Sequence, residues 1–169
     1  LLPGSLLMGL LGPIMGRVYD ARGTRPLLIP GTILVSAALF FYSTVGEHTV
    51  WWVLIIVQAA MSVGLAMSFT PLFSASLGSL QRSLYSHGSA VLNTLQQVGG
   101  AAGVALLLVT YSSILHAGEQ EGLSTAVAGA PGARMAFLIA AIISLAAVAL
   151  SPFVRKPADD AGEGLHGGH

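Results

Sequence analysis

The sequence predicts an all-α protein of the polytopic membrane class, a transmembrane helical bundle of about five helices. Three observations carry that prediction. Of 169 residues, 54% are hydrophobic and only 8% are charged, against about 25% charged in an ordinary soluble domain. The apolar residues fall in long runs, and the charges gather between the runs. So few charges cannot clothe a water-facing surface, so lipid is the fitting solvent. A backbone in lipid must satisfy its own N–H and C=O groups, which requires helices here. A β-barrel would need short segments of alternating polarity, and the sequence lacks them.

The elements follow in order. Helices are expected at about residues 1–19, 27–45, 50–73, 88–115 and 134–154, so that residues 1–154 form one partial bundle. The last four each hold about 19 residues or more without Lys, Arg, Asp or Glu. At about 1.5 Å per residue, such a run crosses a hydrocarbon core of about 30 Å. Pro71 is expected to kink or end the third helix. The fifth helix has Ser144 as its only clear interior polar group and reads as peripheral and lipid-facing. Residues 116–133 read as a long loop, and residues 155–169, Gly-rich and polar, as a disordered tail. The chain opens on Leu1 without a charged n-region or a small-residue cleavage site, so its first run is read as a helix and not a signal peptide. We read the sequence as the C-terminal part of a longer chain.

Sidedness follows from the basic residues. Arg17, Arg22, Arg25, Arg82, Arg155 and Lys156 fall on one side if the helices alternate, and Arg134 alone falls on the other with Glu47, Glu119 and Glu121. The excess of positive charge assigns the first hairpin, the third-to-fourth connection and the C-terminus to the cytoplasm. Trp51 and Trp52 open the third helix at the opposite interface, where indoles favour the headgroup level.

Several classes are disfavoured. A net charge of zero gives no electrostatic footprint for nucleic acid. Cysteine is absent, so neither disulfides nor thiolate metal sites are available. His48, His87 and His116 lie near different membrane faces, and His166 and His169 sit in the tail, so no metal site is expected. No Ser/His/Asp set, phosphate-cradling loop or paired catalytic carboxylate is present, so the protein is read as neither an enzyme nor a cofactor carrier.

The first hairpin carries Gly16, Asp20, Gly23, Arg25 and Leu28 at fixed spacing, with Arg22 between. Gly16 would let the first helix approach a neighbour, and Gly23 can adopt positive φ in the turn. Asp20 can accept from Arg22 or Arg25, or face a helix N-terminus. The plain alternative is a basic loop that only fixes topology. On the fourth helix, Ser89, Asn93, Gln96, Gln97, Gly100 and Gly103 recur at offsets of 3, 4 or 7 and share one face. Polar side chains at membrane depth must meet other helices or water. Gly99, Gly100 and Gly103 suit close helix packing; Asn93, Gln96 and Gln97 could line a cavity, or serve packing as well. On the third helix, Gln58 and Ser62 are four apart and are candidates for the same cavity.

The hairpin pattern resembles the signature loop of the major facilitator superfamily, with Ala21 where the family usually has a basic residue after the Asp. The run from His87 to Ala105 is similar to the penultimate helix of the 14-helix drug:proton antiporter branch, EmrB/QacA-type, although many members have Arg at the position of Gln96. The resemblance implies the last five helices of a larger major-facilitator-like fold, exporting hydrophobic or cationic small molecules against protons by alternating access. It implies that Gly16, Asp20, Arg22, Gly23 and Arg25 form a gating loop. It implies a bacterial inner membrane location, no cofactor beyond the proton gradient, and membrane lipid and the protein's own N-terminal helices as partners. The helical runs after the first hairpin hold no carboxylate within the membrane, so the coupling carboxylate is expected upstream of Leu1. Two other readings remain open: a non-transporting membrane scaffold or assembly protein, and an uptake porter of another branch.

Overall fold

The computed structural model describes residues 2–46 and 49–154. Expectations placed on Glu47, His48, Arg155, Lys156, His166, His169 and the rest of the 155–169 tail lie outside the described residues. Five helices follow one another: α1 (Leu2–Arg22), α2 (Arg25–Thr44), α3 (Trp51–Gly78), α4 (Tyr85–Gln120) and α5 (Thr125–Leu150). A 3₁₀ turn at Arg82–Leu84 leads into α4, and another at Ser151–Phe153 follows α5. No strand occurs among the described residues. The spans beginning at Arg25, Trp51, Tyr85 and Thr125 are each long and apolar enough to cross a membrane. The fold is thus an all-α bundle of membrane-spanning helices.

Neighbours in space are not neighbours in sequence. α1 packs mainly on α3, α3 on α2, α2 on α5, and α5 on α4. The closest crossing is α2 on α3, where Gly31 faces Gly64 and Ser68. In lipid the drive to associate is close packing, because acyl chains are as apolar as leucine. Small residues let two backbones approach, and buried hydroxyls turn back on their own helices. Ser68 Oγ donates to Gly64 O at 2.8 Å, Ser62 Oγ to Gln58 O at 2.9 Å, and Thr32 Oγ1 to Leu28 O at 2.9 Å. Such bonds satisfy these three hydroxyls, whereas Thr24 Oγ1, just before α2, is buried without a hydrogen-bond partner among the described residues.

The structure corrects the reading of α5 as peripheral. α5 lies between α2 and α4, and buries Ala128, Gly129, Gly132, Ala136 and Ala141. Its Ser144 Oγ stands 2.7 Å from Ser36 Oγ of α2. Its side toward α4 is lined with residues too small to hold the helices apart: a Cβ on Gly132 would fall 2.8 Å from Tyr111 O. A stripe of Gly and Ala carries no polar group, so the polar residues of the helix give no sign of it.

The expected loop at 116–133 is also mostly helix. α4 runs to Gln120 and α5 starts at Thr125. Gly122 takes φ +84°, and the N–H groups of Leu123 and Gly122 close on Gly118 O at 3.1 Å and Glu119 O at 3.0 Å. This left-handed cap satisfies the last carbonyls of α4 and turns the chain sharply. α3 likewise continues through Pro71 to Gly78, with Pro71 fully buried.

Candidate functional site

The hairpin is built from the end of α1. The helix continues through Asp20 to Arg22, two residues past where the turn motif places its Asp. Gly23 then adopts φ +82°, and its N–H donates to Tyr19 O at 2.8 Å. A residue with a Cβ would be strained there. Arg25 opens α2, with Pro26 in the first turn, where a missing N–H costs nothing. The N–H groups of Leu27 and Leu28 close on Thr24 O at 3.3 and 2.9 Å. Tyr19, Thr24, Leu27 and Leu28 are buried and fix the hairpin to the bundle.

The charges lie on the outside of that anchor. Asp20, Arg22 and Arg25 are all exposed. The expected pairing of Asp20 with Arg22 or Arg25 is not formed: the ion pair found among the described residues is His116 with Glu119, at 3.5 Å. A Cβ on Gly16 would meet nothing within 4 Å, so no described helix presses on it. The hairpin therefore presents three charges, on one short rigid turn, to whatever lies beyond this chain.

The two groups of cavity candidates are not brought together. Gln58 faces α2, where its Oε1 accepts from Tyr42 Oη at 3.0 Å. Ser62 is buried beside it. Gln58 thus bonds across the α2–α3 contact, and Ser62 turns back on its own helix, its Oγ donating to Gln58 O at 2.9 Å. α3 and α4 meet near Gly88, whose Cβ position is occupied by Leu80. Asn93, Gln96 and Gln97 stand farther along α4, all exposed. With Ser89, Gly100 and Gly103 they occupy an arc of about 120° at 100° per residue. Cβ atoms on Gly99, Gly100 and Gly103 would meet nothing within 4 Å. Among the described residues, no helix packs on those glycines, and the polar face of α4 is exposed.

Tyr42 was missed in the sequence. A phenol inside an apolar helix needs an acceptor, and that requirement could have linked it to the Gln58 amide on the next helix.

A row of apolar helices closed by small residues, with one polar face left open, defines a multi-pass membrane protein. Residues 4–167 match the profile of the Major Facilitator Superfamily. The chain belongs to that superfamily. It is 35% identical to the lincomycin resistance protein LmrB of Listeria monocytogenes, over 92% of this chain and 34% of that protein. It is 32% identical to the lincomycin resistance protein LmrB of Bacillus subtilis, over 92% of this chain and 34% of that protein. A multidrug resistance protein B homolog of Mycobacterium tuberculosis is 31% identical, over 66% of this chain and 21% of that protein. The chain thus spans about a third of the length of these LmrB relatives. No solved structure matches it.

Proposed function

We propose that this chain is the C-terminal portion of a proton-coupled multidrug efflux transporter of the 14-helix branch, working by alternating access. The observation that carries this reading is the likeness to drug-resistance proteins along 92% of the chain. The free polar face of α4, with Asn93, Gln96 and Gln97 exposed, supports it. Amides at membrane depth need water, ligand or a polar neighbour, and a central cavity supplies all three. Hydrophobic or cationic drugs suit such a wall: its donors and acceptors are neutral, and its surroundings apolar.

In this reading Gly16, Asp20, Arg22, Gly23 and Arg25 form a cytoplasmic gate in the inner membrane. Asp20 and the two arginines pair with the rest of the transporter in one state and release in the other. α2 to α5 hold no carboxylate in their membrane interior, since Glu119 and Glu121 stand at the end of α4. The proton-coupling group is therefore assigned to another part of the transporter. The chain contributes one cavity wall and a gate.

The test is drug resistance in an efflux-deficient strain. The intact transporter should confer it. This chain alone should not, and Asp20→Asn in the intact protein should abolish most of it while membrane abundance stays level. Full efflux by the Asp20→Asn variant would reduce the hairpin to a topological device.

A further inference from the structure

The end of the bundle opposite the α1–α2 hairpin holds a cleft of about 980 Å³ between α2, α3 and α5. Its walls include Tyr42, Leu54, Ala130, Pro131 and Phe137, with Arg134 at its edge. The Tyr42 and Phe137 rings stand 5.2 Å apart and form one aromatic wall. Arg134 is the one Lys or Arg at this end among the described residues. Its Nε donates to Val45 O at 2.9 Å, and Nη2 lies over Gly46, 2.7 Å from where a Cβ would be. That bond holds the guanidinium in place and uses one of its five N–H donors. No carboxylate among the described residues pairs with it: Glu119 instead receives Thr125 Oγ1 at 2.9 Å and His116. Trp51 and Trp52, in the first turn of α3, are 71% and 54% exposed and mark the headgroup level at this end. Leu54 of the cleft is less than one turn farther along.

We propose that this cleft seats an anionic phospholipid, with Arg134 holding the phosphate and an acyl chain running over Leu54, Pro131 and Phe137. A guanidinium held at Val45 O and carrying no carboxylate among the described residues fits a phosphate diester. The apolar wall fits the first methylenes of an acyl chain, which a soluble anion would leave uncovered. A cationic drug would be repelled by Arg134, so this site is distinct from the polar face of α4. The proposal needs only the membrane fold and does not rest on the export reading.

The experiment is native mass spectrometry of the purified intact transporter, titrated with phosphatidylglycerol or phosphatidylcholine. The expected result is one phosphatidylglycerol bound more tightly than any phosphatidylcholine, and about tenfold more weakly in Arg134→Gln. Because Arg134→Gln also removes the bond to Val45, Ala130→Phe serves as the second variant. It fills the cleft, leaves the arginine in place, and should lose the same lipid at an unchanged melting temperature. Equal retention of phosphatidylglycerol by both variants overturns the proposal. So does equal affinity for the two lipids, or normal binding by Ala130→Phe.

Discussion

Gly31 and Gly64 meet back to back where α2 crosses α3: a Cβ on Gly31 would lie 3.0 Å from Gly64 O, and one on Gly64 would lie 2.9 Å from Gly31 O. The obstacles around Gly64 include backbone, with Val35 N at 3.1 Å, and backbone cannot rotate away. Gly64→Ala should therefore destabilise the intact protein by about 1–3 kcal/mol. Gly46→Ala is the contrast. Its close neighbour among the described residues is Nη2 at the far end of Arg134, 2.7 Å away, which can give by a few tenths of an ångström while Nε keeps its bond to Val45 O. That variant should stay within about 0.5 kcal/mol of the parent. Denaturation of both in detergent checks the order.

Gly23 makes a different demand, because its constraint is conformation and not space. A Cβ there meets nothing within 4 Å, yet φ is +82°. Gly23→Ala should cost about 1–2 kcal/mol, and Gly23→Asn less, since Asn tolerates the left-handed region. Equal melting temperatures for all three would mean that the hairpin takes another turn in the membrane.

Tyr42 and Gln58 form a side-chain hydrogen bond, 3.0 Å long, between α2 and α3. Tyr42→Phe, Gln58→Leu and the double variant make a closed cycle. The coupling should be about 0.6 kcal/mol and no more than about 1.7, the range for such bonds within membranes. Zero coupling would return Gln58 to the list of cavity residues.

The polar face of α4 can be probed directly, since the chain contains no cysteine. Single cysteines at Asn93, Gln96 and Gln97 should react several-fold faster with a water-soluble maleimide than cysteines at Val91, Leu95 and Val98, which point the opposite way. A transported drug should slow the first set only. Uniformly slow reaction on both faces would place the amides in a packed interface.

The helices were plain in the sequence because lipid leaves few alternatives. A long run without charge, such as that in α2 or α3, has one stable form in a bilayer. The shared face of Asn93, Gln96 and Gln97 was also readable, since helical spacing fixes direction. What lies opposite a face was not readable. Gly31 and Gly64 gave no signal of their own, because a glycine in an apolar run suits a kink, a contact or nothing. The start of α5 at Thr125 is hidden for a related reason. Gly129, Pro131 and Gly132 look like loop residues by the habits of water-soluble chains, whereas membrane helices accept both types. The Gln58 amide needs a partner at membrane depth, and spacing along α3 alone does not say that Tyr42 of α2 supplies it.

One more consequence belongs to α4. It is fastened at both ends, by Leu80 against Gly88 and by Tyr111 and Gly118 against α5. Between Val91 and Leu108 only Leu92 and Leu107 are partly covered. Mechanically it is a bridge with two abutments and an unsupported middle. Gly99, Gly100 and Gly103 sit in that middle, each softening the helix by about 1 kcal/mol relative to alanine. Loaded at mid-span by a neighbouring helix, such a span should bend there while its footings stay where they are.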